Sequence, residues 1–169
     1  RPELELAVQH TPLGTGHAVM AAQESLASFK GDVLVLFGDS PLVSIETLKA
    51  MLAARRSSAN PAVVVMGFRP KNTEQYARLI LNDEGDLVRI VEHTDATDLE
   101  RETDLCNSGF MAIDGAALGE LLGGVGTNNS KGEYYLTEIV EIANRAGRAC
   151  AVVEANEIEA YGINSRGQL

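Results

Sequence analysis

Asp39, Glu92, Asn107, Thr137 and Asn164 stand at strand ends and in loops, and together they carry carboxylate, amide and hydroxyl groups. No serine, histidine and aspartate set or cysteine and histidine pair suggests a protein nucleophile. Ser40 follows Asp39 but lacks the flanking glycines of a nucleophile elbow. His10, His17 and His93 are not clustered, which argues against a zinc site. The remaining oxygens and amides suit a hard cation and a polyhydroxyl ligand. Asp with Asn oxygens fits Mg²⁺, which takes few protein oxygens and completes its shell with water and substrate phosphates. Each residue also has a plainer reading: Asp39 as a turn residue, Glu92 and Asn107 as polar strand ends, Thr137 as a helix cap.

The elements that must position these groups follow from the hydrophobic pattern. Val33 to Phe37 is a continuous apolar run between Gly31 and Gly38, the pattern of a strand buried on both faces. Pro41 cannot extend a ladder, so Asp39 falls where that strand stops. In open α/β sheets this edge is the ligand crevice. Ser44 caps an expected helix through Arg56, and Ala62 to Phe68 forms a second buried strand. Two such strands joined by a helix predict a βαβ unit and a parallel sheet.

Upstream, Leu4 to Val8 alternates as a short strand would. It leads through a turn containing Gly14 and Gly16 into a helix using Ala18, Met20, Leu26 and Phe29. Strand, glycine turn and helix make an anion-binding layout. The dinucleotide fingerprint is excluded because its third glycine is absent. Downstream, Leu79 to Leu81 and Leu87 to Val91 flank a turn cluster and predict a β-hairpin. A charged loop follows over Thr94 to Asp104. Further expected elements are a strand over Cys106 to Ile113, interrupted by Asn107, Ser108 and Gly109, and helices over Ala116 to Leu122 and Leu136 to Ala146. A last buried strand spans Ala149 to Val153. The expected class is α/β, with a mostly parallel sheet and an inserted hairpin.

The 169 residues are enough for one domain with a real core. The formal charge of −10 argues against non-specific nucleic-acid binding. An anionic ligand would need a metal ion or local donors to overcome that charge. No apolar run is long enough to span a membrane. Cys106 and Cys150 sit in apolar runs and read as buried thiols, which fits the cytoplasm.

Several motifs occur in a telling order: Leu13-Gly14-Thr15-Gly16-His17-Ala18, Phe37-Gly38-Asp39-Ser40-Pro41-Leu42, Ile90-Val91-Glu92-His93 and Asn107-Ser108-Gly109. Gly132-Glu133-Tyr134-Tyr135-Leu136-Thr137 and Gly162-Ile163-Asn164 follow. In this order they resemble the uridylyltransferase domain of N-acetylglucosamine-1-phosphate uridylyltransferases, a domain that in bacteria is commonly fused to a glucosamine-1-phosphate acetyltransferase. The resemblance spans nearly the whole chain. It implies a Rossmann-like nucleotidyltransferase fold, with residues 1–169 as the central and C-terminal part of a single domain truncated at its N-terminus. The implied reaction is Mg²⁺-dependent: UTP and N-acetylglucosamine 1-phosphate give UDP-N-acetylglucosamine and pyrophosphate. By the same resemblance Gln9 would bond the uracil, and Gly14, Thr15, Phe37, Gly38 and Asp39 would border the nucleotide. Ala77, Glu92 and Asn107 would hold the sugar, and Thr137 would lie beside its phosphate. Asp39 and Asn164 would be the metal ligands and the catalytic pair. The full-length protein would be a homo-oligomer.

The sequence departs from the family pattern in three places. The Gly-rich triphosphate loop with its Gly-x-Gly-Thr-Arg and following Lys is not matched, so the chain by itself is expected to be catalytically incompetent. Ala77 replaces a common glycine, and Thr94 a common lysine. Two alternatives stay open: a sugar-1-phosphate nucleotidyltransferase for another base or sugar, and a non-catalytic sugar-nucleotide sensor.

Overall fold

The computed structural model describes residues 4–163. The apolar runs become strands β1 (Asp32–Val35), β2 (Val63–Phe68), β3 (Arg78–Leu81), β4 (Leu87–Val91), β5 (Cys106–Asp114) and β6 (Cys150–Glu154). Helices α1 (Thr15–Ala21), α2 (Gln23–Leu26), α3 (Ile45–Arg55), α4 (Asp98–Arg101), α5 (Gly115–Gly123) and α6 (Glu138–Arg145) connect them, and a 3₁₀ turn spans Glu157–Ala160.

The sheet is open and runs β4-β3-β5-β2-β6, with β1 also paired to β5. Strands β1, β2, β3 and β6 point one way, and β4 and β5 the other. The expected common direction therefore holds for most strands. Neighbour pairing is different, because β2 with β6 is the parallel ladder and the others are antiparallel. The two strands of the expected βαβ unit share a direction, but β5 lies between them.

The layers follow from the two-residue period of a strand. Val63 and Val65 of β2, with Met111 and Ile113 of β5, face a core completed by α5 and α6. Val64, Met66, Phe110 and Ala112 face the other way, against Met51 of α3. Ser44 caps α3 as expected, its hydroxyl accepting from the Thr47 N–H at 3.1 Å. The hairpin β3–β4 also forms, and its turn is closed by Asn82 Oδ1 accepting from the Asp86 N–H at 2.8 Å.

Three expectations are corrected. Strand β1 is half-buried rather than covered on both faces, and it pairs with β5 alone among the described residues. Leu4 to Val8 forms no strand. Leu6 is 91% exposed, because the alternating residues find no neighbouring strand to hydrogen-bond among the described residues. The helix expected beyond Gly16 also breaks at Ala22 into α1 and α2.

The start of β1 is held by a charge cluster. Asp32 and Asp114 are cross-strand partners, a like-charged arrangement that is unfavourable by itself. Buried Arg55 lies 3.3 Å from Asp32 and 3.4 Å from Asp114, and donates to Asn60 Oδ1 at 2.7 Å. That fixes the end of β1 opposite to the one that leads into Asp39.

Candidate active site

Strand β5 creates the site by losing a neighbour halfway along. On one edge it follows β2. On the other it meets β3 at Cys106 and β1 only from Met111 onward. Asn107 to Phe110 lie between these contacts, and the register with β2 shifts there. Side chains stitch this bulge. Ser108 Oγ donates to the Met66 carbonyl at 2.8 Å and accepts from the Phe110 N–H at 3.1 Å. Asn107 Oδ1 accepts from the Gly109 N–H at 2.9 Å, which orients the amide and leaves its Nδ2 without an acceptor among the described residues. Gly109 has φ of 90°, and the Phe37 ring occupies the place a Cβ would take. The interruption read in the sequence is thus a bulge, a feature that commonly re-aims side chains beside active sites.

A cavity of about 220 Å³ opens over the bulge, and Thr15, Phe37, Ala77, Glu92, Asn107 and Thr137 all line it. Five of these come from different connecting segments or the ends of elements, which explains why their spacing in the chain is irregular. Gln75 and Tyr76 also line it and were not anticipated; their one sequence signal is adjacency to Ala77.

Ala77 is nearly buried, and its carbonyl accepts from the Asn107 N–H at 2.9 Å. Its own N–H has no acceptor among the described residues. Asn60 is the non-glycine residue with positive φ there, so alanine replaces glycine at position 77 without left-handed strain. Glu92 leaves the end of β4 half-buried. Burial pushes its carboxyl above the ordinary glutamate range; Lys131 and the Thr137 hydroxyl pull it down, and Asp95 adds to the rise. Thr137 precedes α6 but makes no side-chain capping bond; its hydroxyl lines the cavity beside Glu92.

Two motifs far apart in the chain meet at Thr15. The Gly16 N–H donates to the Tyr134 carbonyl and the Tyr134 N–H to the Leu13 carbonyl, each at 2.8 Å. The Leu136 N–H donates to Thr15 Oγ at 3.0 Å. Gly14 has φ of 111°, and a Cβ there would lie 2.6 Å from the Tyr134 oxygen. The expected anion-binding turn therefore spends the Gly16 N–H on the protein. Thr15 keeps its hydroxyl proton to donate.

Gln9, Gly14, Gly38 and Asp39 do not line the cavity. Gln9 Nε2 donates to the Gly14 carbonyl at 3.1 Å and lies 3.0 Å from His17 Nδ1, so Oε1 is its free group. Asp39 is exposed on the turn after β1; Ser40 Oγ donates to its carboxylate at 3.3 Å. The Asp39 carbonyl accepts from the Ile163 N–H at 2.7 Å. Asn164, the other expected ligand, lies outside the described residues.

No group of three or more histidine, cysteine or acidic residues placed to hold a metal occurs among the described residues. An exposed Asp39 oxygen fits Mg²⁺ nonetheless, since that ion is commonly held by one or two carboxylates plus water and phosphate oxygens. Cys106 and Cys150 are buried and unpaired, and burial pushes the Cys150 thiol up to about 12. Neither is a nucleophile. No described helix is long and apolar enough to cross a membrane.

No protein-family profile matches the chain. Curated relatives do match. The chain is 54% identical over 166 residues to bifunctional protein GlmU of Rhodospirillum rubrum, covering 98% of this chain and 37% of that protein. It is 52% identical over 162 residues to bifunctional protein GlmU of Paramagnetospirillum magneticum, covering 96% of this chain and 36% of the relative. The protein of the same name from Novosphingobium aromaticivorans is 49% identical over 166 residues, at 98% and 37% coverage. The chain thus spans little more than a third of the length of these relatives. Over the stretch it shares with them, at about half identity and nearly end to end, this chain belongs to the GlmU family.

Proposed function

We propose that this chain supplies the acceptor-sugar half of a nucleotidyltransferase that transfers a uridylyl group from UTP to N-acetylglucosamine 1-phosphate, releasing pyrophosphate. The observation that carries this reading is the convergence of an acceptor carboxylate and three donors on one small cavity. Glu92 accepts from sugar hydroxyls. The Asn107 amide and the Ala77 N–H donate to hydroxyl or acetamido oxygens, and the Thr137 hydroxyl donates to the sugar phosphate. About 220 Å³ suits one sugar ring better than a whole nucleotide sugar, since pockets for larger ligands run to about 300–1,000 Å³.

The chemistry asks little of a protein nucleophile. The phosphate oxygen of the acceptor attacks the α-phosphorus of UTP, the bond to pyrophosphate breaks, and the electron pair leaves with pyrophosphate. The attacking oxygen is already largely deprotonated at neutral pH, so catalysis reduces to in-line positioning and charge stabilisation. Mg²⁺ held by Asp39, and by Asn164 in the family pattern, would supply the positive charge that an acidic chain lacks. Thr15 and the Gly14 turn border the nucleotide, and Gln9 offers Oε1 to the uracil N–H. None of the cavity residues is a lysine or arginine, so the cavity itself offers a triphosphate no cationic side chain. It is a part of one nucleotidyltransferase domain, working in the cytoplasm within a homo-oligomeric full-length protein.

The test is pyrophosphate release by the full-length protein with UTP and N-acetylglucosamine 1-phosphate, with and without Mg²⁺. Turnover that needs all three supports the reading. Preference for another nucleotide or sugar phosphate would shift the specificity, and binding of a nucleotide sugar without turnover would favour the sensor.

A further inference from the structure

Arg78 is the largest fully buried side chain of the described residues, 1% exposed, and it makes no ion pair among them. Its partners are neutral. Nη1 donates to the Thr73 carbonyl at 2.7 Å and to the Tyr76 carbonyl, and lies 3.9 Å from Cys106 Sγ. Nε has no partner. An unpaired buried ion is costly, and a well-packed apolar residue of similar volume is often at least as stable. Packing alone therefore gives no reason for a guanidinium here.

Its position offers one. The two carbonyls it holds bracket a turn closed by the Tyr76 N–H donating to the Thr73 carbonyl at 3.1 Å. Gln75, Tyr76 and Ala77 of that segment form one wall of the cavity, while Arg78 lies behind it. Tyr76 is also held edge-on to Phe68, with ring centroids 4.9 Å apart. Across the ladder, Arg78 pairs with Cys106, next to Asn107. The guanidinium thus ties together the two segments that carry the Ala77 N–H and the Asn107 amide. It also places a positive charge behind a wall that faces an anionic ligand.

We propose that Arg78 is a positioning residue for the phosphorylated acceptor: the two carbonyl bonds from its Nη1 fix the 73–77 wall, and its charge favours the bound anion. This rests on the reading of the cavity as the acceptor-sugar site. In the full-length protein, Arg78→Lys keeps the charge and loses the planar guanidinium that sets Nη1 between the two carbonyls, whereas Arg78→Met loses both. Expected are a KM for the sugar 1-phosphate raised about ten-fold in Arg78→Lys and further in Arg78→Met, the loss of one to two hydrogen bonds to a charged group. The kcat and the KM for UTP should change less than about two-fold, since Nη1 bonds only the wall behind the cavity. Amide hydrogen exchange at Tyr76, whose N–H closes the turn, should speed up in both variants while the β2 and β5 amides stay protected.

An unchanged sugar-phosphate KM in folded variants would overturn the proposal. So would kcat, both KM values and the melting temperature shifting together, the mark of a general structural role. If Arg78→Met does not fold, Arg78→Lys decides alone. Should the wild-type protein show no turnover with these substrates, the functional reading fails separately. The exchange experiment then still judges the wall, and unchanged exchange in Arg78→Lys refutes it.

Discussion

On the Asn107 side of the cleft, the polar groups are set before any ligand arrives. Asn107 is oriented by Gly109, Ala77 is bonded to β5, and Glu92 is half-buried at the end of β4. On the Asp39 side, the carboxylate is exposed, Gly38 has open space around it, and Gln9 spends its amide on its own turn. The first side is built on β5 and on the ends of β3 and β4, where backbone and core fix each group. The second is built from the turn after a half-covered strand and from an exposed N-terminal segment. Preorganisation in this chain is therefore concentrated on the side proposed to hold the acceptor sugar.

The contrast can be broken most directly at Asp39. In the full-length protein Asp39→Asn should cut Mg²⁺-dependent pyrophosphate release about 100-fold or more, the scale of losing one aimed electrostatic contact. The melting temperature should stay the same, because the side chain is exposed. Unchanged turnover would remove Asp39 from the metal site.

Gly109→Ala attacks the preorganised side through its backbone. A methyl group there needs positive φ and the space of the Phe37 ring, so stability should fall by about 2 kcal/mol. Among the molecules that remain folded, sugar-phosphate affinity should drop while UTP affinity holds. Equal loss of both would mean that the two sides are one unit.

Glu92→Gln should raise the KM for the sugar phosphate about ten-fold, the cost of replacing a charged acceptor. The pH dependence sharpens this. Because burial raises the wild-type carboxyl, it protonates at a higher pH than an ordinary glutamate, and KM should climb as the pH falls toward that raised value. Glu92→Gln should lack that limb. For stability the sign is opposite. The ionised form is the one burial penalises, so the penalty is present above the raised pKa and fades as the pH falls through it. At neutral pH the Gln variant should melt slightly higher, and a lower melting temperature would mean the carboxylate is needed by the fold.

The smallest effect is expected at Thr137. Thr137→Val removes one hydroxyl donor and should raise the sugar-phosphate KM about three-fold, within the usual range for one neutral hydrogen bond. Since the hydroxyl caps nothing, helix content and melting temperature should not change. A clear loss of stability would restore the capping reading.

Much of this was readable along the chain. The continuous apolar run of Val63 to Phe68, the turn cluster between β3 and β4, and the cap at Ser44 are local signals with local causes. They specified the α/β class and most element positions. The polar residues left at the ends of those elements, Glu92, Asn107 and Thr137 among them, could be named as candidates from their oxygens and amides and from the order of the motifs around them, beside their plainer readings as strand ends and a helix cap. What the chain alone could not express was adjacency. That β5 runs between β1 and β2, and that Leu13 to Gly16 lies against Tyr134 to Leu136, depends on ladders between distant segments. The same holds for the exposure of Leu4 to Val8, whose alternation suits a strand only if another strand is there to pair with it. The residues determined which chemistry was available. The tertiary structure decided which groups share the cavity, because a break in hydrogen bonding along one edge of β5 opens it.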